Sequence, residues 1–275
     1  MKTAAKQRIM FLIASLLAIL GVLLWGAYGA RFIRHFHLEP EPKNPLPILM
    51  YHNVVEDGVE CNSMTVTVGK LREDLNYLFS HGYTPILPKD LTSGDPLPEK
   101  PIMITFDDGY KSNYDLLFPI LQEYRCKANI NVIVYLTNLW SPNYCTWTRL
   151  REMTESGFVE IGSHTYKLHN EDGQFDPNGA NGIQRRPGES DADFQIRVLD
   201  DIQKSYDVLT ENLGVAPTCF AYPFGASDRY SIALIHHLFP VTLLTESATA
   251  DLSKGTHNLP RYTITMSVSL SDILK

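Results

Sequence analysis

The amino-acid sequence predicts an α/β fold, with parallel strands backed by helices as an open sheet or a barrel, preceded by one N-terminal transmembrane helix. Three observations carry this. Short apolar runs alternate with amphipathic stretches from residue 47 onward, which is the βα pattern. The 275 residues leave roughly 230 after the N-terminal segment, a length that suits one α/β domain. Residues 9–30, IMFLIASLLAILGVLLWGAYGA, carry no charge and are long enough to cross a ~30 Å hydrocarbon layer.

The elements follow in order. Residues 1–8 contain Lys2, Lys6 and Arg8, whose charge with the terminal amine favours a cytoplasmic N-terminus and an extracytoplasmic remainder. Residues 9–30 read as a retained signal anchor in the cell membrane. The competing reading is a cleaved signal peptide, which would make the protein secreted. Residues 31–46 form a linker ending in the proline-rich EPEPKNPLP, a stiff spacer. The folded domain is expected over 47–275. PILMY is its first strand, and Leu71, Leu75, Leu78 and Phe79 recur at helical spacing until Gly82. YTPIL, PIMITF and ANINVIVYL are the next strands, with a helix over about residues 112–124 that should kink or break near Pro119. TWTRLREMTESG is helical. FVEIGSH, TCFAY, PVTLL and LPRYTI are later strands, separated by helices such as DADFQIRVLDDIQKSYDVLTENLG. Residues 170–190, rich in Gly, Pro, Asn and Asp, read as a long surface loop.

Charge and composition exclude several classes. Hydrophobic residues make up 44% and charged residues 20%, an ordinary globular balance. A formal net charge of −7 and the lack of a basic stripe argue against nucleic acid as a partner. Cys61, Cys126, Cys145 and Cys219 show no CxxC spacing, so a thiolate zinc site is not expected, and both disulfides and free thiols remain open.

Two motifs carry chemistry. ITFDDGY places Asp107 and Asp108 side by side at a strand end, where only a turn lets both reach one site, and Gly109 supplies that break. Two carboxylates in a poorly solvated place are relieved by a cation or a shared proton. GSHTYKLHN places His164 and His169 after another apolar run. Their spacing of five puts them ~140° apart on a helix and on opposite faces of a strand, so a turn must bring them together. Imidazole and carboxylate suit zinc first and other first-row divalent metals as well. A DD pair before glycine is also a common turn, and a strand-end histidine a common cap. It is their joint placement at the ends of separate βα units that points to a site.

TFDDG, then SHTYKLH, then FAYPFG resemble the polysaccharide deacetylase, or NodB-homology, family, carbohydrate esterase family four. The likeness runs from about residue 47 to 264. ILMYH and the longer histidine spacing are similar to the exported poly-N-acetylglucosamine deacetylase subgroup, whereas many peptidoglycan and chitin deacetylases have the pair one residue closer. The resemblance implies an irregular (β/α) barrel of about seven parallel strands. It implies Asp107 as catalytic base, Asp108, His164 and His169 as metal ligands, and the backbone N–H of Phe224 as an oxyanion donor. The implied activity is metal-dependent hydrolysis of N-acetyl groups on an extracellular or cell-wall N-acetylglucosamine polysaccharide, releasing acetate. The alternatives are an O-acetyl esterase of the xylan type and a carbohydrate-binding protein that has lost turnover.

Several positions depart from the family pattern. Ala221 stands where many members carry an arginine that steadies the catalytic aspartate. Arg261, in LPRYTI, is an alternative source of a guanidinium, though a surface strand arginine is the preferred reading. No late leucine-x-histidine motif is evident: His257 precedes a strand, and His236 and His237 lie on a peripheral helix, so no general acid is assigned. His52, in MYHN, is expected at the groove as a sugar ligand or proton donor, or else as a strand-end structural histidine. Tyr222 and Trp147 offer the flat faces that sugar rings stack on, and core packing accounts for them equally well.

Overall fold

Eight parallel strands of the computed structural model form the main sheet, and their register explains where polar groups enter an otherwise apolar core. The structure describes residues 41–169, 182–226 and 229–274. The expected transmembrane helix at 9–30 lies outside them, as do the N-terminal segment, the linker up to residue 40 and positions 170–181 of the expected surface loop. Among the described residues no helix is long and apolar enough to cross a membrane. Pro42–Lys275 form one compact unit.

The strands are β1 (Ile48–Tyr51), β2 (Thr84–Ile86), β3 (Pro101–Asp108), β4 (Ala128–Val132), β5 (Val159–Ser163), β6 (Cys219–Ala221), β7 (Val241–Leu243) and β8 (Tyr262–Thr263). Their order is β7-β6-β5-β4-β3-β1-β8, with β2 paired to the start of β3. The chain before and within β8 joins the two edges. Leu259 N donates to Thr242 O, Leu244 N to Leu259 O and Arg261 N to Glu246 O on the β7 side, while β8 pairs with β1. The result is an irregular parallel barrel.

Side chains alternate across these strands with period two. Leu49, Tyr51, Ile104, Phe106, Ile130 and Ile161 pack outward in the large core shared with the helices. The residues between them face inward. Ile48, Met103, Cys219 and Val241 form an apolar plug. Above it come Thr105, Asn129, Asn131 and Arg261, all fully buried, and then Asp107 and His164. Polar groups therefore concentrate toward the C-terminal ends of the strands, where parallel α/β sheets place their ligands.

The α-helices among the described residues are α1 (Val68–Ser80), α2 (Phe118–Tyr124), α3 (Val134–Asn138), α4 (Trp147–Glu155), α5 (Asp191–Leu213), α6 (Arg229–Leu238) and α7 (Leu270–Ile273). Ser190 caps α5 by accepting the Asp193 N–H at 3.1 Å, and Gly214, at φ 73°, ends it. The helix over 112–124 is interrupted near Pro119 as expected, by a π-helical turn at Asn113–Leu117 that leads into α2. One expectation is corrected. ANINVIVYL is strand only to Val132, and Val134 begins α3. All four cysteines are free thiols. Those of Cys126 and Cys145 are buried, which pushes each up to about 12.

Candidate functional site

Register explains how two neighbouring aspartates serve one place. Asp107 occupies an inward position of β3, opposite Asn131 of β4. Asp108 would point outward on a regular strand, but its backbone is left-handed at φ 75°, a region aspartate tolerates better than most residues. Gly109 follows at φ 78°, and a Cβ there would lie 2.7 Å from Val132 Cγ1. The tight turn needs this glycine.

The histidines arrive from β5. His164 directly follows that strand, and its N–H bonds to Val132 O at 2.9 Å. Its Nδ1 donates to the Ala221 carbonyl at 2.7 Å, which leaves the Nε2 lone pair for another partner. Thr165 then adopts φ 72°, and the chain turns back to bring His169 alongside, with ring centroids 4.8 Å apart. His164 Nε2 lies 3.6 Å and His169 Nε2 3.5 Å from Asp108 Oδ1. One ligand atom from each of these buried residues falls within 4.8 Å of the others, a possible Asp–His–His metal site. A divalent cation fits this donor set. Burial lowers the His169 pKa to about 3, with the neighbouring His164 adding to the effect, and burial likewise lowers that of His164, so both imidazoles are in the neutral, ligating form.

Asp107 has other partners. Arg261 grips it with both arms, NH1 to Oδ1 at 2.9 Å and NH2 to Oδ2 at 2.7 Å. Asn131 Nδ2 adds a bond to Oδ1 at 2.8 Å. Burial by itself would raise the Asp107 pKa, but the Arg261 guanidinium outweighs it and holds the carboxyl well below the usual range. Arg261 is not the surface strand residue that was the preferred reading. It is fully buried and anchored by Nε to Leu244 O at 2.7 Å and by NH1 to Thr105 Oγ1 at 3.1 Å. The inward alternation of LPRYTI, with Leu259 in the barrel core, is the signal that could have found it.

A cavity of about 340 Å³ opens over these groups, lined by Asp107, Asp108, His164 and His169 together with His52 and Phe224. Burial lowers the His52 pKa to about 4, so that imidazole is neutral. Phe224 is 49% exposed at the rim, with a left-handed backbone at φ 56° and its ring centroid 4.7 Å from that of His169. Tyr222 is not in this wall. It follows the outward side of Phe220 in the two-residue alternation and is buried with Phe220, Ile235 and Phe239. Trp147 likewise lies in the core, its Nε1 bonded to Asn138 Oδ1 at 2.9 Å. His236 of α6 stacks on His257 at 3.8 Å, and neither lines the cavity.

The parallel barrel carries this cluster at its mouth, and comparison with known proteins gives the family. The family model for polysaccharide deacetylases matches residues 94–238, and the chain belongs to that family. The chain is 28% identical over 270 residues to the poly-beta-1,6-N-acetyl-D-glucosamine N-deacetylase of Escherichia coli K12, covering 85% of this chain but 38% of the relative's length. Among solved structures, a de-N-acetylase from Aggregatibacter actinomycetemcomitans shares the fold with a TM-score of 0.73 and 22% identity, over 84% of this chain and all of that one. The BpsB deacetylase domain from Bordetella bronchiseptica gives 0.66 and 25%, over 82% of this chain and 98% of that one.

Proposed function

We propose that this protein is a metal-dependent deacetylase that removes N-acetyl groups from an N-acetylglucosamine polysaccharide outside the cytoplasm, releasing acetate. One observation carries the reading: Asp107, held ionised by Arg261, lines the same cavity as the Asp108, His164 and His169 cluster. Family membership and the named activity of the Escherichia coli relative support it, although the chain spans only 38% of that relative.

Asp108, His164 and His169 would hold the cation, with zinc the first choice for two imidazoles and a carboxylate. A divalent ion there would polarise the acetyl carbonyl and acidify the attacking water. Asp107 takes that water's proton. Its Oδ1 already accepts from Asn131 and Arg261, whereas Oδ2 accepts from Arg261 alone and keeps a lone pair for the proton. The grip of Arg261 thus fills the role left open by Ala221 and weighs against the binding-only reading. His52, neutral in the same cavity, hydrogen-bonds the sugar in this reading, since a neutral imidazole has no acidic proton to give the departing amine. The Phe224 N–H is the oxyanion donor in this reading, supported by the position of Phe224 at the cavity rim. Residues 9–30 would anchor the domain to the membrane, their uncharged run being the support. Membrane fractionation of the expressed chain checks this, with carbonate-resistant pelleting expected.

The decisive assay is acetate release by the zinc-loaded chain from N-acetylated and O-acetylated oligosaccharides. Release from the former, reduced about 10²- to 10⁴-fold in Asp107→Asn, is expected. Equal background release from both proteins would leave sugar binding alone, and preference for the O-acetyl substrate would make the protein an esterase.

A further inference from the structure

We propose that Asp201, on α5 and outside the cavity, is a positioning residue that sets the geometry of the two metal histidines. The inference rests on the reading of Asp108, His164 and His169 as ligands. Between the histidines the chain makes a turn outside any helix or strand, and its first residue, Thr165, is β-branched with φ 72°. Such a conformation persists only where the surroundings over-determine it.

The surroundings do so from two sides. On one, the first N–H groups of α3 hold the carbonyls of the turn, Val134 N to Thr165 O at 3.2 Å and Tyr135 N to Tyr166 O at 2.8 Å. On the other, Asp201 takes both following N–H groups, Tyr166 N to Oδ1 and Lys167 N to Oδ2, each at 2.8 Å. These are charge-assisted bonds, shared one to each oxygen. Ser205, one helical turn further along α5, adds a 2.6 Å contact to Ser163, the last residue of β5. Lys204 Nζ lies 3.9 Å from the centroid of the Tyr166 ring. One face of α5 therefore secures the segment that runs from Ser163 to Lys167.

Asp201 does not line the cavity, so its influence on a cation must pass through the backbone of this turn. Asparagine cannot replace it. Its carbonyl would accept one N–H, but its NH₂ would face the other N–H, donor against donor. Supporting partners of metal histidines typically contribute 10- to 100-fold in affinity.

The test is calorimetric titration of the metal-free 275-residue chain with zinc alone, with cobalt absorption spectra as a second readout. Asp201→Asn should weaken zinc about 10- to 100-fold and alter the cobalt spectrum. Its metal-free Tm should stay near that of Asp207→Asn, an exposed control on the same helix. Zinc affinity within twofold of wild type overturns the proposal. So does weakening matched by a large fall in the metal-free Tm, which marks a merely structural role. If Asp201→Asn does not fold, Asp201→Glu decides: a weakened zinc affinity supports the proposal and an unchanged one overturns it. The two readings fail separately. If the wild-type chain takes up no zinc the ligand assignment is lost, whereas zinc uptake indifferent to Asp201 removes only this inference.

Discussion

Asp107 and Asp108 are neighbours with unlike surroundings, and their difference lies in backbone and partners, not in residue type. Asp107 follows the strand and meets Arg261, whereas the left-handed backbone of Asp108 sets its carboxylate beside two imidazoles. Asp107→Asn should cut acetate release about 10²- to 10⁴-fold while zinc uptake, measured by calorimetry, stays within a few-fold of wild type. Arg261→Ala should be harsher, because it leaves a buried carboxylate without its cation. A loss of about 3–5 kcal/mol in urea unfolding is expected, with activity falling as well. Arg261→Lys should recover only part of both, since an ammonium cannot make the two-armed contact. At this scale the Asp108, His164 and His169 cluster was legible because TFDDG and SHTYKLH place unusual residue types at strand ends. Arg261 was legible only as the second of two readings, because it reaches Asp107 from the far end of the chain, a closure that local spacing does not reveal. Of the two readings open for Tyr222, core packing holds, because the alternation of FAY turns it outward with Phe220.

At the scale of elements, the site depends on turns at the ends of β3 and β5 that backbone strain makes fragile. Gly109→Ala must hold alanine at φ 78° and bring its Cβ against Val132. A loss of about 1–3 kcal/mol is expected by urea unfolding. Adding Val132→Ala removes the Cγ1 contact at 2.7 Å but keeps Val132 Cβ at 3.0 Å, so it should recover only part of the loss. Most elements were legible from apolar runs and their period, and the exceptions have local causes. The interruption near Pro119 was legible, but its form, a π-turn, is one that periodicity cannot distinguish from an α-helix. The run after Val132 is as apolar as the strand before it, so the change to α3 leaves no mark in hydropathy.

For the whole molecule, closure of the barrel by the segment before β8 couples stability, charge and metal. His52 and His169 have folded pKa values of about 4 and about 3, below the free value of 6.5. The stability they contribute is full above about pH 6.5 and is lost as pH falls through the folded values. Asp201 has the opposite sign. Burial raises it from 3.8 to about 6, so its contribution is present below 3.8 and lost as pH rises through about 6. Two imidazoles outweigh one carboxyl, and the metal-free Tm should fall between pH 7 and pH 5, less steeply in His52→Gln. At pH 7, zinc at a hundred times its dissociation constant should stabilise the fold by about 2.7 kcal/mol.

The most direct measurement is a crystal structure of the zinc-soaked protein with data collected on both sides of the zinc absorption edge. One anomalous peak is predicted within bonding distance, about 2.0–2.2 Å, of His164 Nε2, His169 Nε2 and an Asp108 carboxylate oxygen. A fully occupied zinc bound elsewhere, with these three side chains unchanged and empty, would contradict the account.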